Sequence, residues 1–448
     1  MLNFDLGRGG RNCDGVSRRD MLRVGALSMG GLTLANTLKL QAAQKQNGRQ
    51  TSGKSVICFW LDGGPTQHET FDPKPEAPSD YKGPYNAIAT SAPGIQICEL
   101  FPKTAQMMHR LSLVRSMHHN NGDHFAAAHW MWTGYKGSSA ARLEPMFPSV
   151  GSIITKTHGP NRPGMPAFVS IPYAMTVGRK PGYQSSAFLG VAHNPFDAGG
   201  DPNRKDFKVR NVSLPNGVNS SRAVGRKSLL SRLDRVRRDV DSTGLMEGID
   251  EFNQQAFDMV TGNDAAKAFD ISKENPRLRD QYGRNSIGQG ALLARRLVES
   301  GVTFTTVHSG GWDNHSGIEN AMKNHASRLD PAISALTSDL DQRGMLDDVM
   351  ILVMGEFGRT PKVNAGAGRD HWGNVMSVML GGGGLNSGVV VGSSDDKGAR
   401  PAKRPTKPAH VLHTIYKQMG IDTRIAHIDR AGRPIPILSE GEPLSELI

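Results

Sequence analysis

The chain has 448 residues, a formal net charge of +11, 37% hydrophobic residues and 21% charged residues. This composition fits a globular protein and excludes an intrinsically disordered one. Positive charge can attract anionic substrates such as acidic polysaccharides. Basic residues concentrate at 222–238 and 397–407, where solvated helix faces and loops are the favoured interpretation. No nucleic-acid-binding motif accompanies them, so nucleic acid is not an expected partner.

The first 43 residues have the features of a twin-arginine export signal. Adjacent Arg18 and Arg19 precede a mildly apolar run over 24–38, and small residues close the segment. A charged region, a short apolar region and small residues are typical of a secretory signal, and paired arginines indicate the route that exports folded proteins. We therefore predict removal of 1–43, a linker over 44–54, the twin-arginine translocase as partner, and a periplasmic or otherwise exported location.

Short apolar runs alternate with helical patterns over the rest of the chain. The predicted strands lie at 55–61, 112–117, 167–172, 302–307, 349–354 and 375–380. The predicted helices lie at 101–111, 125–132, 318–343 and 407–419. Residues 173–300 predict an insertion that is irregular at first and then helical. The alternation indicates one α/β domain over 55–448, with a mostly parallel central sheet and helices on both faces.

Cysteine usage restricts the kinds of metal site that are possible. Cys13 belongs to the signal, while Cys58 and Cys98 lie in apolar runs, where they either pair or stay as buried free thiols. The sequence has no CxxC motif, which excludes a cysteine-rich zinc site.

Carboxylates and imidazoles recur just after the predicted strands. The four groups are Asp62; Asp123, His124 and His129; Asp313 and His315; and Glu356, Asp370 and His371. In parallel α/β sheets, ligands bind beyond the carboxyl ends of the strands. Mixed oxygen and nitrogen ligands suit Zn²⁺, Mn²⁺ or Fe²⁺ better than Ca²⁺. These groups therefore predict a divalent metal site built from distant segments.

Four segments carry a family resemblance: WLDGGPTQH at 60–68, HSGGWDNH at 308–315, GEFGRTP at 355–361 and GRDHW at 368–372. They resemble domain-of-unknown-function family 1501, which is similar to sulfatases and belongs to the alkaline-phosphatase-like superfamily. The resemblance covers nearly the whole chain after the signal. It implies an alkaline-phosphatase-like fold in which metal ions hold a sulfate or phosphate ester and activate a nucleophile.

The resemblance also implies roles for particular residues. The residues that it implies as metal ligands are Asp62, Asp313, His315, Glu356 and His371, and Asp370 lies beside His371 in the sequence. Phe357 stands where the superfamily has a histidine. One or two divalent ions, with zinc or manganese as the favoured identities, would neutralise the ester oxygens and lower the pKa of bound water towards ~7.

The identity of the nucleophile stays open at this point. The residue that corresponds to the sulfatase nucleophile, counted back from Thr133 and Gly134, is His124, and no Cys-x-Pro-Ser-Arg sequence exists for a formylglycine. The alternatives are His124 as nucleophile or metal ligand, a metal-bound water without a protein nucleophile, and Thr66.

Two further side-chain types have alternative interpretations. Arg359 either clamps the ester, because its planar fork matches two oxygens, or forms a salt bridge to Glu356. The indoles of Trp130, Trp132 and Trp312 either stack on a sugar or pack in the core, and core packing is favoured.

These observations predict an exported, metal-dependent hydrolase of sulfate or phosphate esters, with esters on polysaccharides as candidate substrates. The alternative is a non-catalytic protein on the same fold that binds a glycan or a partner at a degenerate site, because a fold does not guarantee an activity.

Overall fold

A central sheet of eight strands organises the computed structural model, which describes residues 53–210, 212 and 256–448. The strands are β1 (Ser55–Leu61), β2 (Leu111–Met117), β3 (Phe168–Ile171), β4 (Phe196–Asp197), β5 (Phe304–Ser309), β6 (Val349–Met354), β7 (Met376–Gly382) and β8 (Val390–Val391). Their order across the sheet is β8-β2-β7-β6-β1-β5-β3-β4. Every pairing is parallel except those of β7, which runs antiparallel to β6 and β2.

The central position of β1 explains its sequence. All seven of its residues are buried, and Val56 lies opposite Phe304 of β5 and Met350 of β6. A strand covered on both faces needs apolar side chains at successive positions, and β1 has such a continuous run.

Helices cover both faces of the sheet and thereby divide the core in two. The helices are α1 (Ser79–Lys82), α2 (Pro102–Gln106), α3 (His124–Thr133), α4 (Val150–His158), α5 (Asn263–Phe269), α6 (Pro276–Tyr282), α7 (Ser286–Glu299), α8 (Ile318–Gln342) and α9 (Pro408–Gln418). Ile57 and Phe59 pack in a cluster with α7 and α8, while Val56 and Trp60 pack in the other cluster with α3, α4 and α9. The predicted fold class, a mostly parallel sheet with helices on both faces, is confirmed.

Small elements complete the described chain. Two-stranded ribbons join Ala87–Ala89 to Gln96–Cys98, Gly358–Arg359 to His371–Trp372, Ser393–Ser394 to Pro401–Lys403, and Ala426–Ile428 to Pro434–Pro436. Short 3₁₀ turns lie at Met108–Arg110, Gly182–Gln184, Ala187–Leu189, Val191–His193, Ile271–Lys273 and Ser445–Leu447. No described helix is both long enough and apolar enough to cross a membrane.

Several elements differ from the sequence prediction. The helix expected over 101–111 ends at Gln106. The 3₁₀ turn at Met108–Arg110 follows it, and Leu111 already belongs to β2. Helix α4 was not predicted. The strand expected over 302–307 runs from Phe304 to Ser309, which places His308 within β5.

Some predictions lie outside the described residues, namely the signal, most of the linker, and the part of the insertion that contains the basic cluster at 222–238. Of the two cysteines that the structure describes, both are buried free thiols. They lie in different core clusters, Cys58 with α3 and Cys98 with α8.

Candidate metal centre

Three neighbouring strands bring their carboxyl ends together. Because β6, β1 and β5 are adjacent and parallel, the loops that follow them meet at one edge of the sheet. Asp62 follows β1 at once, Asp313 follows β5, and Glu356 follows β6. The Gly63 amide donates to Glu356 Oε1 at 2.8 Å, which joins the loops after β1 and β6.

The carboxylate of Asp313 lies among three imidazole rings. His124 Nε2 is 3.3 Å from Oδ2, while His315 Nε2 and His371 Nε2 are 3.0 and 3.1 Å from Oδ1. The ligand atoms of His124, Asp313 and His371 all lie within 4.8 Å of one another. We call these four side chains the Asp313 cluster.

Each imidazole of the Asp313 cluster is held from behind by an oxygen atom. The Nδ1 contacts are 2.7 Å from His124 to Glu356 Oε1, 2.6 Å from His315 to Asp370 Oδ1, and 2.8 Å from His371 to the Gly122 carbonyl. A carbonyl or an ionised carboxylate only accepts, so each Nδ1 carries the hydrogen. In the neutral ring, each Nε2 then presents a lone pair to the cluster, as a metal-binding histidine does.

The donors of the Asp313 cluster fit a divalent cation. The Nε2 atoms of His315 and His371 are only 3.0 Å apart, and two lone pairs at that distance repel each other unless a cation or a proton lies between them. Among the buried polar atoms that the structure describes, Glu356 Oε2 has no hydrogen-bond partner. Three imidazoles and a carboxylate form a set that Zn²⁺ or Mn²⁺ accepts.

The charges around the cluster keep Asp313 ionised. Burial raises the pKa of Asp313, but the hydrogen bond and the charge of Arg359 outweigh it and bring the pKa to about 2. Burial lowers the pKa of His124, but the hydrogen bond to Glu356 and the charges of Glu356 and Asp313 leave it above the usual value. Burial raises the pKa of Glu356 and lowers that of His371. Asp313 is therefore ionised at neutral pH, and a cation that binds His124 must displace the proton that the neighbouring carboxylates favour on this ring.

Arg359 supports the site from within the protein. Its side chain is 1% exposed, donates to the carbonyls of Gly63, Gly64 and Arg369, and pairs with Asp313 Oδ1 at 2.6 Å. The expected salt bridge to Glu356 is wrong, because the carboxylate partner of Arg359 is Asp313. The buried fork is bonded to main-chain carbonyls, and its contact with an ester stays a prediction.

Asp62 is also placed differently from the expectation that it binds metal. Its Oδ1 accepts from Trp60 Nε1 at 2.9 Å and from the Val177 amide at 2.8 Å, and its Oδ2 lies 3.2 Å from His308 Nε2. Val177 has φ 51°, an unusual conformation for a β-branched residue, while its amide bonds to Asp62. Asp62 thus anchors the loop after β3 and lies outside the Asp313 cluster.

Two loops of the site are joined through their backbones. The amides of Gly317, Ile318 and Arg369 donate to the carbonyls of Gly366, Ala367 and Asn314 at 3.0, 2.8 and 3.1 Å. A Cβ atom on Gly368 would lie 2.1 Å from the carbonyl carbon of His315, so only glycine fits there. This contact fixes the loop of Asp313 and His315 against the loop of Asp370 and His371.

Comparison with known proteins places the chain in a family. The family model described as protein of unknown function (DUF1501) matches residues 53–448. The chain belongs to this family. A search of curated proteins gave no match.

Solved structures match this DUF1501 chain at low identity. Lipoteichoic acid synthase LtaP from Listeria monocytogenes is 10% identical, with 86% of this chain and 75% of that chain covered and a TM-score of 0.38. A protein in the alkaline phosphatase superfamily from Vibrio parahaemolyticus is 11% identical, with 84% and 68% covered and a TM-score of 0.38. The PsFucS1 sulfatase from Pseudoalteromonas is 12% identical, with 86% and 70% covered and a TM-score of 0.34.

Two other residues that the sequence analysis singled out, Thr66 and Asp123, form hydrogen bonds within the protein. The Thr66 hydroxyl donates to Glu69 Oε2 at 2.6 Å, and Glu69 forms a buried ion pair with Arg369. Asp123 accepts from the Ala126 amide at 3.0 Å as the N-cap of α3. This cap positions His124 as the first residue of the helix.

Other polar and aromatic side chains near the site belong to the core. His129 is buried and bonds through its two nitrogens to the Tyr135 carbonyl and the Met146 amide. The indoles of Trp132 and Trp312 are 0% and 1% exposed and pack inside, while Trp130 is 6% exposed and lines a surface cavity.

Sequence reasoning missed His308 as a neighbour of the site. His308 lies inside the HSGGWDNH segment, but the pattern gave no reason to pair it with Asp62, 246 positions away. Parallel pairing of β1 with β5 places Trp60 opposite His308, and this register was the missing information.

Proposed function

We propose that this protein is a metal-dependent hydrolase of sulfate or phosphate esters, with one divalent ion, Zn²⁺ or Mn²⁺, bound in the Asp313 cluster. One observation carries the proposal: three imidazoles direct Nε2 at one carboxylate while oxygen atoms hold each Nδ1. When the three rings are neutral, the arrangement brings lone pairs together, and a bound cation relieves that repulsion.

A divalent ion supplies a Lewis acid for the oxygens of an anionic ester and a source of hydroxide near neutral pH. The protein's own residues supply the rest. Asp313 remains ionised because Arg359 pairs with it, and Glu356 and Asp370 fix the ring orientations of His124 and His315. Helix α3 begins at His124, so the positive end of its dipole favours an anion at the site.

The geometry supports His124 as a metal ligand rather than a nucleophile. Its Nδ1 is engaged by Glu356, and its Nε2 lies 3.3 Å from the Asp313 carboxylate within the cluster. Thr66 is tied to Glu69. The proposal therefore contains no protein nucleophile, and water attacks the ester.

The proposal includes export. The pattern around Arg18 and Arg19 would send the folded protein through the twin-arginine translocase to the periplasm or beyond. Replacing both arginines by lysine in the full chain should leave the protein in the cytoplasmic fraction. Unchanged fractionation would contradict the export proposal alone.

One observation favours a second candidate function, a non-catalytic protein that binds a glycan or a partner. Phe357 packs against His124 and His371 with ring centroids 4.8 and 4.7 Å away, and Arg359 is used internally. A centre with an apolar ring and no available guanidinium can hold an ion without turning over an ester.

Metal analysis and turnover together separate the two candidates. The purified protein should contain about one divalent ion per chain, and it should hydrolyse 4-nitrophenyl sulfate or 4-nitrophenyl phosphate. A chelator should abolish the activity, and added Zn²⁺ or Mn²⁺ should restore it. Stoichiometric metal without turnover of any tested ester would favour the binding protein, and absence of bound metal would contradict both the centre and the hydrolase.

A further inference from the structure

A polar cavity adjoins the Asp313 cluster across a single loop. The cavity has a volume of about 450 Å³, and its lining includes Asn120, Asn121, Lys136 and Lys407. Among its described lining residues there are two lysines and no carboxylate. The volume is sufficient for a sulfate or phosphate group with part of the molecule that carries it.

The ammonium of Lys136 is held in a defined place. Lys136 Nζ lies 4.8 Å from the ring centroid of Trp130, a cation–π contact. Trp130 stacks in turn on His119 with ring centroids 5.6 Å apart, and His119 Nε2 bonds to the Glu356 carbonyl at 2.6 Å. No carboxylate pairs with Lys136 among the ion pairs of the described chain. The positive charge is thus fixed by an aromatic ring and not neutralised by an acid.

The second lysine and the amides add to the positive character of the cavity. Lys407 Nζ pairs with Glu440 at 3.2 Å through side chains that are both about half exposed, so an incoming anion can compete for it. Asn120 adopts a left-handed backbone with φ 59°, which turns the loop at the cavity wall. The side-chain amides of Asn120 and Asn121 offer further N–H donors.

The same loop contacts the cavity and the cluster. Asn120 and Asn121 line the cavity, the Gly122 carbonyl accepts from His371 Nδ1 at 2.8 Å, and the next two residues are the cap of α3 and His124. A ligand that occupies the cavity therefore lies one loop away from the proposed ion.

We propose that this cavity is a second anion subsite, which binds a sulfate or phosphate group that is not the one hydrolysed. The inference rests on the proposed function for the first anion, and it narrows the substrate to molecules that carry at least two anionic ester groups, such as a multiply sulfated saccharide. The subsite determines specificity and does not take part in bond cleavage.

Inorganic phosphate tests the subsite independently of the metal centre. In calorimetric titrations, the chelator-treated full chain should bind phosphate, and Lys136→Met and Lys407→Met should each weaken binding about tenfold, as loss of one charge-assisted hydrogen bond does. Lys417→Met is the matched control, because Lys417 is an exposed lysine at the end of α9 and does not line the cavity. Lys417→Met should bind phosphate like the parent chain.

The outcomes separate failure of the subsite from failure of the proposed function. If phosphate binds only to the metal-loaded chain, and Lys136→Met binds it as tightly as the parent chain does, the subsite is overturned. That result would not contradict the metal centre. Binding to the chelator-treated chain that depends on both lysines supports the subsite even if the chain holds no metal.

A second measurement tests the two-anion substrate. The zinc-loaded chain should bind a disulfated disaccharide more tightly than the monosulfated form, and Lys136→Met should remove that difference. If Lys136→Met prefers the disulfated form over the monosulfated form as strongly as the parent chain does, the proposal is overturned.

Discussion

Asp62 and Asp313 follow neighbouring parallel strands, yet their carboxylates have opposite surroundings. Asp62 is almost fully buried, and N–H donors from Trp60 and Val177 occupy its oxygens. Asp313 is 43% exposed at its side chain and faces the Nε2 atoms of three histidines. The first carboxylate has its hydrogen bonds satisfied inside the protein, whereas the second pairs with Arg359 through Oδ1 and keeps an exposed side towards the imidazoles.

The two carboxylates thus differ in their neighbours, although both follow a strand. Backbone and indole N–H groups bond to Asp62, whereas imidazole Nε2 atoms surround Asp313. Hydrogen-bonded buried carboxylates contribute to stability, while carboxylates among unprotonated nitrogens require a positive ion. Removing members of each set should therefore change different measured quantities.

The largest expected effect is loss of metal from the Asp313 cluster. Asp313→Ala should reduce the affinity for Zn²⁺ by more than about hundredfold, since a ligand contributes more than the outer contacts that orient it. Competition with a chromogenic chelator measures this affinity. The matched control is Asp264→Ala, an exposed carboxylate in α5, which should keep the parent affinity. Equal affinity in the two variants would remove the basis of the proposed function.

The corresponding change at Asp62 should alter stability instead. Asp62→Ala leaves the buried donors of Trp60 and Val177 without an acceptor, which should lower the free energy of unfolding by about 2 kcal/mol. Urea denaturation of the chelator-treated chain measures this loss. Metal content at saturating Zn²⁺ should stay near that of the parent. A large drop in metal affinity without loss of stability would reverse the contrast between the two carboxylates.

A smaller loss of metal affinity is expected when a residue that hydrogen-bonds to a proposed ligand is changed. Asp370→Asn weakens the acceptor that orients His315, and metal affinity should fall about tenfold, within the range for such outer contacts. Asp422→Asn is the control, because Asp422 is an exposed carboxylate paired with Arg424. If Asp370→Asn had the same metal affinity as this control, the hydrogen bond from His315 to Asp370 would contribute nothing to metal binding.

The smallest expected effect concerns His129, a buried histidine of α3. Burial lowers the pKa of His129 from 6.5 to about 4, so its neutral form stabilises the fold above pH 6.5 and that contribution is lost as the pH falls towards 4. Between pH 6.5 and 5.5 the loss should be about 1 kcal/mol. His129→Gln removes the titration and should flatten this part of the stability profile. An unchanged pH profile in His129→Gln would show that His129 is not the buried neutral base described.

The strand pattern made most of the sheet predictable, whereas for the site it predicted that acids and histidines meet at one sheet edge but not which atoms contact one another. The runs at 55–61 and 349–354 match β1 and β6, and the acids after them do meet at one sheet edge. The backbone partners of Arg359 and Asp62 were not predictable, because a residue pattern does not contain the positions of main-chain carbonyls and amides. The antiparallel direction of β7 also escaped the pattern, since an apolar run reads the same in both directions.

The interlocked loops around Gly368 have a consequence for protein engineering. Because main-chain hydrogen bonds join the loop of His315 to the loop of His371, the backbone positions of these two residues do not depend on their side chains. Replacing His315 by cysteine or glutamate should change the metal preference of the centre without rebuilding its frame. For the proposed centre, the fold thus offers a preformed template on which the ligands can be varied one residue at a time.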